Sequence, residues 1–176
     1  MKNKTKHPNI AACIRDIPDF PKKGIVFKDI TPLLANAAAF HDCIVALAAQ
    51  LPKNTDFIVG MESRGFLFGA ALAMHTGLGF IPIRKPGKLP HDVHTIEYEL
   101  EYGVDQLEVH QDALADHHHV VIIDDLLATG GTASATLHLI RKLGATPIAA
   151  LFVIELDFLQ GRERLSDIPV YSLLHY

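Results

Sequence analysis

Tryptophan is absent from the 176-residue chain, and cysteine occurs only twice. Cys13 and Cys43 are too few for a disulfide scaffold or a four-cysteine zinc site, so we expect core thiols in a reducing compartment. No apolar run suited to a signal peptide follows the basic start. Residues 65–83 lack Asp, Glu, Lys and Arg, but His75 and Gly77 interrupt them, which favours a buried helix and strand over a membrane span. We therefore expect a soluble, cytoplasmic protein with no membrane partner.

Basic residues are also scarce, because 16 Lys and Arg against 20 Asp and Glu leave a formal net charge of −4. Non-specific nucleic-acid binding depends on a basic surface, so we expect no nucleic-acid partner. With 49% hydrophobic and 20% charged residues, the composition is typical of a folded globular protein. The chain shows no internal repeat and no linker, and its length suits a single domain over residues 1–176.

Short β-branched runs alternate with helical patterns, which predicts an α/β fold with an open, mainly parallel sheet flanked by helices. Strands are predicted over residues 57–61, 80–84, 120–123, 147–154 and 170–174, and helices over 65–74 and 132–143. Asn9 is expected to cap a short helix with Ile10, Ile14 and Ile17 on one face, and Asn36 is expected to cap a longer helix. Residues 94–102 and 106–110 are expected to pair as an outlying hairpin.

Residues 120–132 carry the clearest chemical signal, since a buried strand ends in Asp124 and Asp125 and a loop of small residues leads into a Thr-capped helix. Ligands of open parallel sheets bind beyond the carboxyl ends of the strands, and backbone N–H groups at a helix start bind phosphate. The two carboxylates would repel phosphate and instead suit sugar hydroxyls or a metal-bound water. A ligand with both a phosphate and a ribose satisfies the two halves of this segment.

Other nucleotide-binding motifs are missing, because no G-x-G-x-x-G follows a strand and no G-x-x-x-x-G-K-[ST] is present. Residues 120–132 instead resemble the phosphoribosyl pyrophosphate signature of type I phosphoribosyltransferases. Further segments are similar to the adenine-specific members of that family: 20–21 with 24–33, 62–69, 83–90, 100–103 and 161–163. The resemblance implies the type I fold with a flexible lid over residues 85–110 and a base-binding segment over residues 1–35. It also implies a homodimer and the transfer of 5-phosphoribosyl from phosphoribosyl pyrophosphate to N9 of adenine, which gives AMP and pyrophosphate.

The resemblance also assigns residues to the phosphates. The 5′-phosphate and ribose would be held by Asp124, Asp125, Ala128, Thr129, Gly130, Gly131 and Thr132. Pyrophosphate would be bound by Glu62, Ser63, Arg64, Arg84, Lys85 and Lys88. Four of these residues are cations that could bind a polyanion, although a solvated basic patch is the alternative. Mg²⁺ is expected to be held mainly through phosphoribosyl pyrophosphate, with no direct protein ligand.

For adenine, the resemblance implies Phe27 and Leu126 on the two faces of the ring and the backbones of Val26 and Lys28 at its edge. Ordinary core packing is the alternative for Phe27. Glu101 is the expected acceptor of the N9 proton, with Tyr102 closing over the site, although both could instead lie on an exposed hairpin.

Two alternative functions are left open. One is a phosphoribosyltransferase for hypoxanthine, guanine or xanthine. The other is a regulatory protein of this fold that senses phosphoribosyl pyrophosphate, which would normally carry a DNA-binding extension or a basic face.

Overall fold

A five-stranded parallel sheet organises the chain in the computed structural model, which describes residues 6–100 and 103–176. The helices are α1 (Pro8–Ala11), α2 (Thr31–Ala35), α3 (Ala37–Ala48), α4 (Gly65–Thr76) and α5 (Gly131–Lys142). The strands are β1 (Arg15–Pro18), β2 (Val26–Asp29), β3 (Phe57–Met61), β4 (Gly79–Ile83), β5 (Val93–Leu100), β6 (Gly103–His110), β7 (His119–Leu127), β8 (Thr146–Glu155) and β9 (Val170–His175). Two 3₁₀ turns, Asp157–Leu159 and Gly161–Leu165, connect β8 to β9.

The sheet has the strand order β4-β3-β7-β8-β9, and all its neighbouring strands are parallel. Its central strand β7 alternates between two cores: Val120 and Ile122 pack in the core that includes α5, and Val121 and Ile123 in the core that includes α3 and α4. All four side chains are fully buried. Burying each of them contributes about 1.5–3 kcal/mol. The predicted α/β architecture, a parallel sheet flanked by helices, is confirmed.

The helix predicted from Asn9 to Ile17 is wrong beyond its first turn. Pro8 begins α1, so Asn9 lies inside the helix, and α1 ends at Ala11. Ile17 belongs to β1, where it pairs with Phe27 of β2 in an antiparallel ladder. The helical spacing of the isoleucines is therefore only apparent, because the chain changes from helix to strand between them.

The longer helix is confirmed as α3, and Asn36 caps it by accepting a hydrogen bond of 3.1 Å from the Ala39 amide. Ile44 and Leu47 are buried as expected. Cys43 is also fully buried in this helix, and burial raises the pKa of its thiol to about 12. None of the helices among the described residues is long and apolar enough to span a membrane.

The predicted hairpin is confirmed as the antiparallel pair β5–β6, which forms a separate two-stranded sheet. β6 begins at Gly103, three residues earlier than expected. The pair packs against α5, and the backbones of Arg84 and Glu108 exchange two hydrogen bonds that tie the hairpin to the end of β4. This position brings the hairpin beside the carboxyl ends of the sheet strands.

Candidate active site

The loop after β7 forms one wall of a cavity of about 90 Å³. The cavity is lined by Met61, Asp124, Leu126, Leu127, Ala128, Thr129, Gly130, Gly131, Thr132, Ala133 and Phe152. Of the seven residues predicted to hold the 5′-phosphate and the ribose, all but Asp125 line this cavity. Gly130 takes the left-handed conformation (φ 80°) that glycine adopts without strain, and α5 begins directly after it, at Gly131.

No side chain in the described part of the chain caps the first turn of α5, so the predicted threonine cap is wrong. The first N–H groups of a helix have no partner within the helix and carry a partial positive charge. Because they lie beside a cavity, they can donate to an anionic ligand. The uncapped start of α5 therefore suits a phosphate better than the capped start that we expected.

Two adjacent carboxylates lie at the end of β7. Asp125 is 2% exposed, and its Oδ2 lies 2.9 Å from Nη2 of Arg64. The contact is an ion pair outside hydrogen-bond geometry, so Oδ2 keeps an unused acceptor position. Burial raises the pKa of Asp125, although Arg64 acts in the opposite direction. Burial and repulsion from Asp125 raise the pKa of Asp124 well above its usual range.

The segment after β3 lies opposite these carboxylates. The Glu62–Ser63 peptide is cis, and Ser63 is exposed. Glu62 accepts hydrogen bonds from the Lys85 amide at 2.7 Å and from Nε of Arg84 at 3.2 Å. Burial opposes ionisation of Glu62, but the Arg84 side chain and the Lys85 amide hold its pKa below the usual range. Glu62, predicted to contact pyrophosphate, is therefore engaged with Arg84, one of the other predicted contacts.

Lys85 connects the hairpin to the loop after β7, residues 128–132, which we call the phosphate loop after its predicted ligand. Its Nζ forms an ion pair with Asp105 and donates to the Tyr98 hydroxyl at 3.2 Å. The Tyr98 hydroxyl lies 3.3 Å from Oγ1 of Thr132. Burial opposes protonation of Lys85, but Asp105 and Tyr98 raise its pKa above the usual value. Asp105 and Tyr98 were missed from the sequence because their cross-strand pairing depends on the hairpin register.

The four predicted cations differ in their surroundings. Arg64, Arg84 and Lys85 each have a carboxylate partner, whereas Lys88 is exposed and its backbone carbonyl accepts from Arg84 at 3.4 Å. A simple solvated basic patch does not describe this arrangement, because buried or half-buried acids compensate three of the charges. A polyanionic ligand would therefore exchange partners with these acids rather than meet unpaired cations.

The residues predicted to bind the base lie on β2 and at the end of β7. The Phe27 ring is half-buried, and the guanidinium carbon of Arg64 lies 5.0 Å from its centre. Val26 is exposed, and Leu126 is half-buried. Nζ of Lys28 is 2.7 Å from Asp16 and is therefore engaged within the β1–β2 pair, which leaves only its backbone for a ligand. The core-packing alternative for Phe27 is not favoured, since its ring lies outside both core clusters among the described residues.

Glu101 and Tyr102, the predicted proton acceptor and its neighbour, lie outside the described residues. Their roles stay predictions.

Known proteins resemble the chain over nearly its whole length. Residues 29–172 match the model of the phosphoribosyl transferase domain family. An adenine phosphoribosyltransferase of Gloeothece citriformis is 55% identical over 171 residues, which cover 96% of this chain and 99% of the relative. The crystal structure of adenine phosphoribosyltransferase from Thermoanaerobacter pseudethanolicus has a TM-score of 0.93 at 52% identity, covering 96% of this chain and 99% of that one. The enzyme from Saccharomyces cerevisiae, complexed with adenine and an imino-altritol bisphosphate, has a TM-score of 0.90 at 42% identity, covering 96% and 98%.

Proposed function

The chain belongs to the phosphoribosyl transferase family and acts on adenine, and we propose how its residues divide the work of that reaction. It transfers the 5-phosphoribosyl group from phosphoribosyl pyrophosphate to N9 of adenine and releases AMP and pyrophosphate, a purine-salvage reaction. The observation that carries this conclusion is the 55% identity to an adenine phosphoribosyltransferase over 96% of the chain. The two cysteines of the chain support a cytoplasmic location as part of the proposal.

Purified protein with Mg²⁺, phosphoribosyl pyrophosphate and adenine is expected to form AMP, and to form far less nucleotide when hypoxanthine or guanine replaces adenine. Chromatographic separation of the nucleotides measures both. A preference for an oxopurine would favour the alternative transferase. Folded protein that binds phosphoribosyl pyrophosphate but makes no nucleotide from any base would favour the regulatory alternative.

In the proposed binding mode, the loop 128–132 holds the 5′-phosphate, and Asp124 and Asp125 accept hydrogen bonds from the ribose hydroxyls. The uncapped start of α5 and the unused acceptor position on Asp125 support this division. Arg64 would leave Asp125 to bind the pyrophosphate when the ribose takes its place. Breaking a buried ion pair is costly when one charge is left without a partner. Here Arg64 would gain the pyrophosphate and Asp125 would gain the ribose hydroxyls, so neither group would be left unpaired.

Pyrophosphate leaves C1 of the ribose in this reaction and takes negative charge with it, so cations near the leaving group accelerate the step. We assign this role to Arg64, Arg84, Lys85 and Lys88, with Glu62 and Ser63 shaping the segment between them. Arg64 offers a fork of N–H donors that suits a diphosphate. Adenine would lie between Phe27 and Leu126, with its edge at the backbones of Val26 and Lys28. Its N9 proton would pass to Glu101, and Tyr102 would help to exclude water.

The two carboxylates at the end of β7 fit a hydrated Mg²⁺ that arrives with phosphoribosyl pyrophosphate. Burial and mutual repulsion raise the pKa of Asp124, so a nearby positive charge would favour its ionised form. When bound, Mg²⁺ offsets charge on the pyrophosphate leaving group. Among the described residues, the only close group of three metal-binding side chains is Glu155, Asp157 and His175, which does not include these carboxylates.

A homodimer is also part of the proposal, with a second copy covering the outer face of α4. Leu67 and Met74 are 46% and 88% exposed on this face, and Ala70 is exposed between them. Positions spaced by three and four residues share one side of a helix. α4 contains no Asp, Glu, Lys or Arg. A contiguous apolar stripe of this kind favours contact with another protein surface, and two-fold pairing is the commonest arrangement.

Met74→Asp is expected to convert the dimer to a monomer at micromolar concentration, because the pairing would bury an unpaired charge. Size-exclusion chromatography with light scattering measures the mass. The matched control is His138→Asp on an exposed position of α5, across the sheet, which should leave the mass unchanged. A wild-type monomer, or a Met74→Asp dimer, would contradict this interface.

A further inference from the structure

The phosphate loop rests on a turn from the far end of the chain. Gly161, the first residue of the 3₁₀ turn Gly161–Leu165, is buried. A side-chain carbon on Gly161 would lie 2.9 Å from the amide nitrogen of Gly130 and would clash with the carbonyl oxygen of Ala128. A side-chain carbon on Gly130 would clash in turn with the carbonyl oxygen of Gly161. The backbones of the turn and the loop are therefore in direct contact.

Arg162 fixes this turn to the end of β8. Its Nε donates to Oε1 of Glu155 at 3.0 Å, and its Nη2 donates to Oε2 at 2.6 Å. Nη1 donates to the carbonyl of Val170 at 2.8 Å. Glu155 is 5% exposed and also accepts from Oγ of Ser172 at 2.6 Å. A two-pronged pair with a buried acid fixes the orientation of the arginine as well as its distance.

Glu155 is also connected to the strand that carries the loop. It lies opposite Leu127 in the β7–β8 register, and the amide of Leu156 donates to the carbonyl of Leu127 at 3.0 Å. Leu127 immediately precedes Ala128, the first residue of the loop. The pair of Arg162 and Glu155 therefore joins the strand end before the loop to the turn beneath it.

Arg162 is not among the described residues that line the cavity at the phosphate loop. Its side chain lines a different cavity, of about 630 Å³, together with Ser172 and His175. Any influence of Arg162 on a ligand in the loop must therefore be indirect, through the backbone of Gly161 or through Glu155 and the end of β7.

We propose that Arg162 is a positioning residue for the phosphate loop: through its pair with Glu155 it holds Gly161 against Ala128 and Gly130 and so sets the spacing of the amides that bind the 5′-phosphate. This inference rests on the proposed function of the loop. Backbone donors bind phosphate well only when several converge on it, so a small displacement of the turn weakens several hydrogen bonds together.

The test compares Arg162→Gln with Arg141→Gln, which removes an exposed ion pair with Asp167 on the same side of the sheet. Calorimetric titration with ribose 5-phosphate reports the phosphate site directly. Arg162→Gln is expected to raise the Kd for ribose 5-phosphate and the KM for phosphoribosyl pyrophosphate about tenfold, with the adenine KM changed less than twofold. Arg162→Lys should recover only part of the lost affinity. Lysine restores the positive charge beside Glu155, but one ammonium group cannot form the two-pronged pair. Arg141→Gln should change none of these constants.

Gly161→Ala keeps the test decisive if Arg162→Gln does not fold, since it pushes on the loop without removing a charge. Gly77→Ala, at the far end of α4, is the control: its side-chain carbon meets open space but its left-handed backbone (φ 73°) strains it, so this variant loses stability without touching the loop. We expect weaker ribose 5-phosphate binding from Gly161→Ala only. Variants that bind ribose 5-phosphate like the wild type, or that lose adenine and phosphate affinity equally, would overturn the inference. Wild-type protein that binds no ribose 5-phosphate would instead contradict the proposed function of the loop.

Discussion

Asp125→Asn is expected to lower kcat/KM for phosphoribosyl pyrophosphate about 100-fold. The replacement keeps the shape of the side chain but removes the charge that would accept hydrogen bonds from the ribose. Hydrogen bonds to a charged group contribute about 1.5–3 kcal/mol, and a loss of about 3 kcal/mol corresponds to about 100-fold in kcat/KM. Because Asp125 is 2% exposed, water cannot replace the lost acceptor. Steady-state kinetics with saturating adenine measure the change.

The matched control is Asp167→Asn, which neutralises an exposed carboxylate paired with Arg141 and should leave kcat/KM within twofold of the wild type. Circular dichroism and thermal unfolding establish that both variants are folded. If Asp125→Asn retained wild-type kinetics, the ribose would not be bound by this carboxylate, and the ion pair with Arg64 would be only structural.

The position of the loop 128–132 between a strand and a helix could be predicted from the sequence because its signal is local. A run of β-branched residues, two acids, two leucines and a small-residue loop follow one another within residues 120–132. The parallel sheet then places this strand end beside that of β3, and β4 lies on the other side of β3. For the same reason, the cations that follow β3 and β4 could be expected to lie near one another from the strand pattern alone.

The partners of these cations could not be predicted, because they depend on the register of elements that are distant in the sequence. Asp105 reaches Lys85 only because it lies opposite Tyr98 in the β5–β6 pair. A shift of one residue in this register would turn Asp105 to the other face of the hairpin. Gly161 shows the same limit, since its segment could be matched to the family but its contact with Gly130 requires the folded chain.

The wrong helix near the start has a different cause. Ile10, Ile14 and Ile17 follow a helical spacing, but local spacing competes with pairing between strands that the sequence does not reveal. In the folded chain Ile17 pairs with Phe27, so both residues lie in strands. This places the centre of the Phe27 ring 5.0 Å from the guanidinium carbon of Arg64. The error therefore affected the element that carries Val26, Phe27 and Lys28, whose proposed contacts with the base stay a prediction.

Asp124→Asn is expected to raise the melting temperature at pH 7 while lowering activity. Burial and repulsion from Asp125 raise the pKa of Asp124 well above that of an unfolded chain. A carboxyl with a raised pKa binds a proton more tightly when folded, so its ionisation costs stability as the pH rises from about 3.9 through the folded pKa. Asparagine removes this cost. Each 1 kcal/mol recovered raises the melting temperature of a protein this size by about 2–4 °C.

The stability gain of Asp124→Asn should shrink as the pH falls from 8 towards 4, because protonation then neutralises the wild-type carboxyl too. Differential scanning calorimetry across this range measures the difference between variant and wild type. Asp56→Asn is the control of opposite sign: the His119 amide holds the pKa of Asp56 below its usual range, so this variant should lose stability at pH 7. A gain for Asp124→Asn that did not depend on pH would contradict an electrostatic origin. A higher melting temperature combined with unchanged activity would mean that the charge of Asp124 does not contribute to substrate binding or turnover.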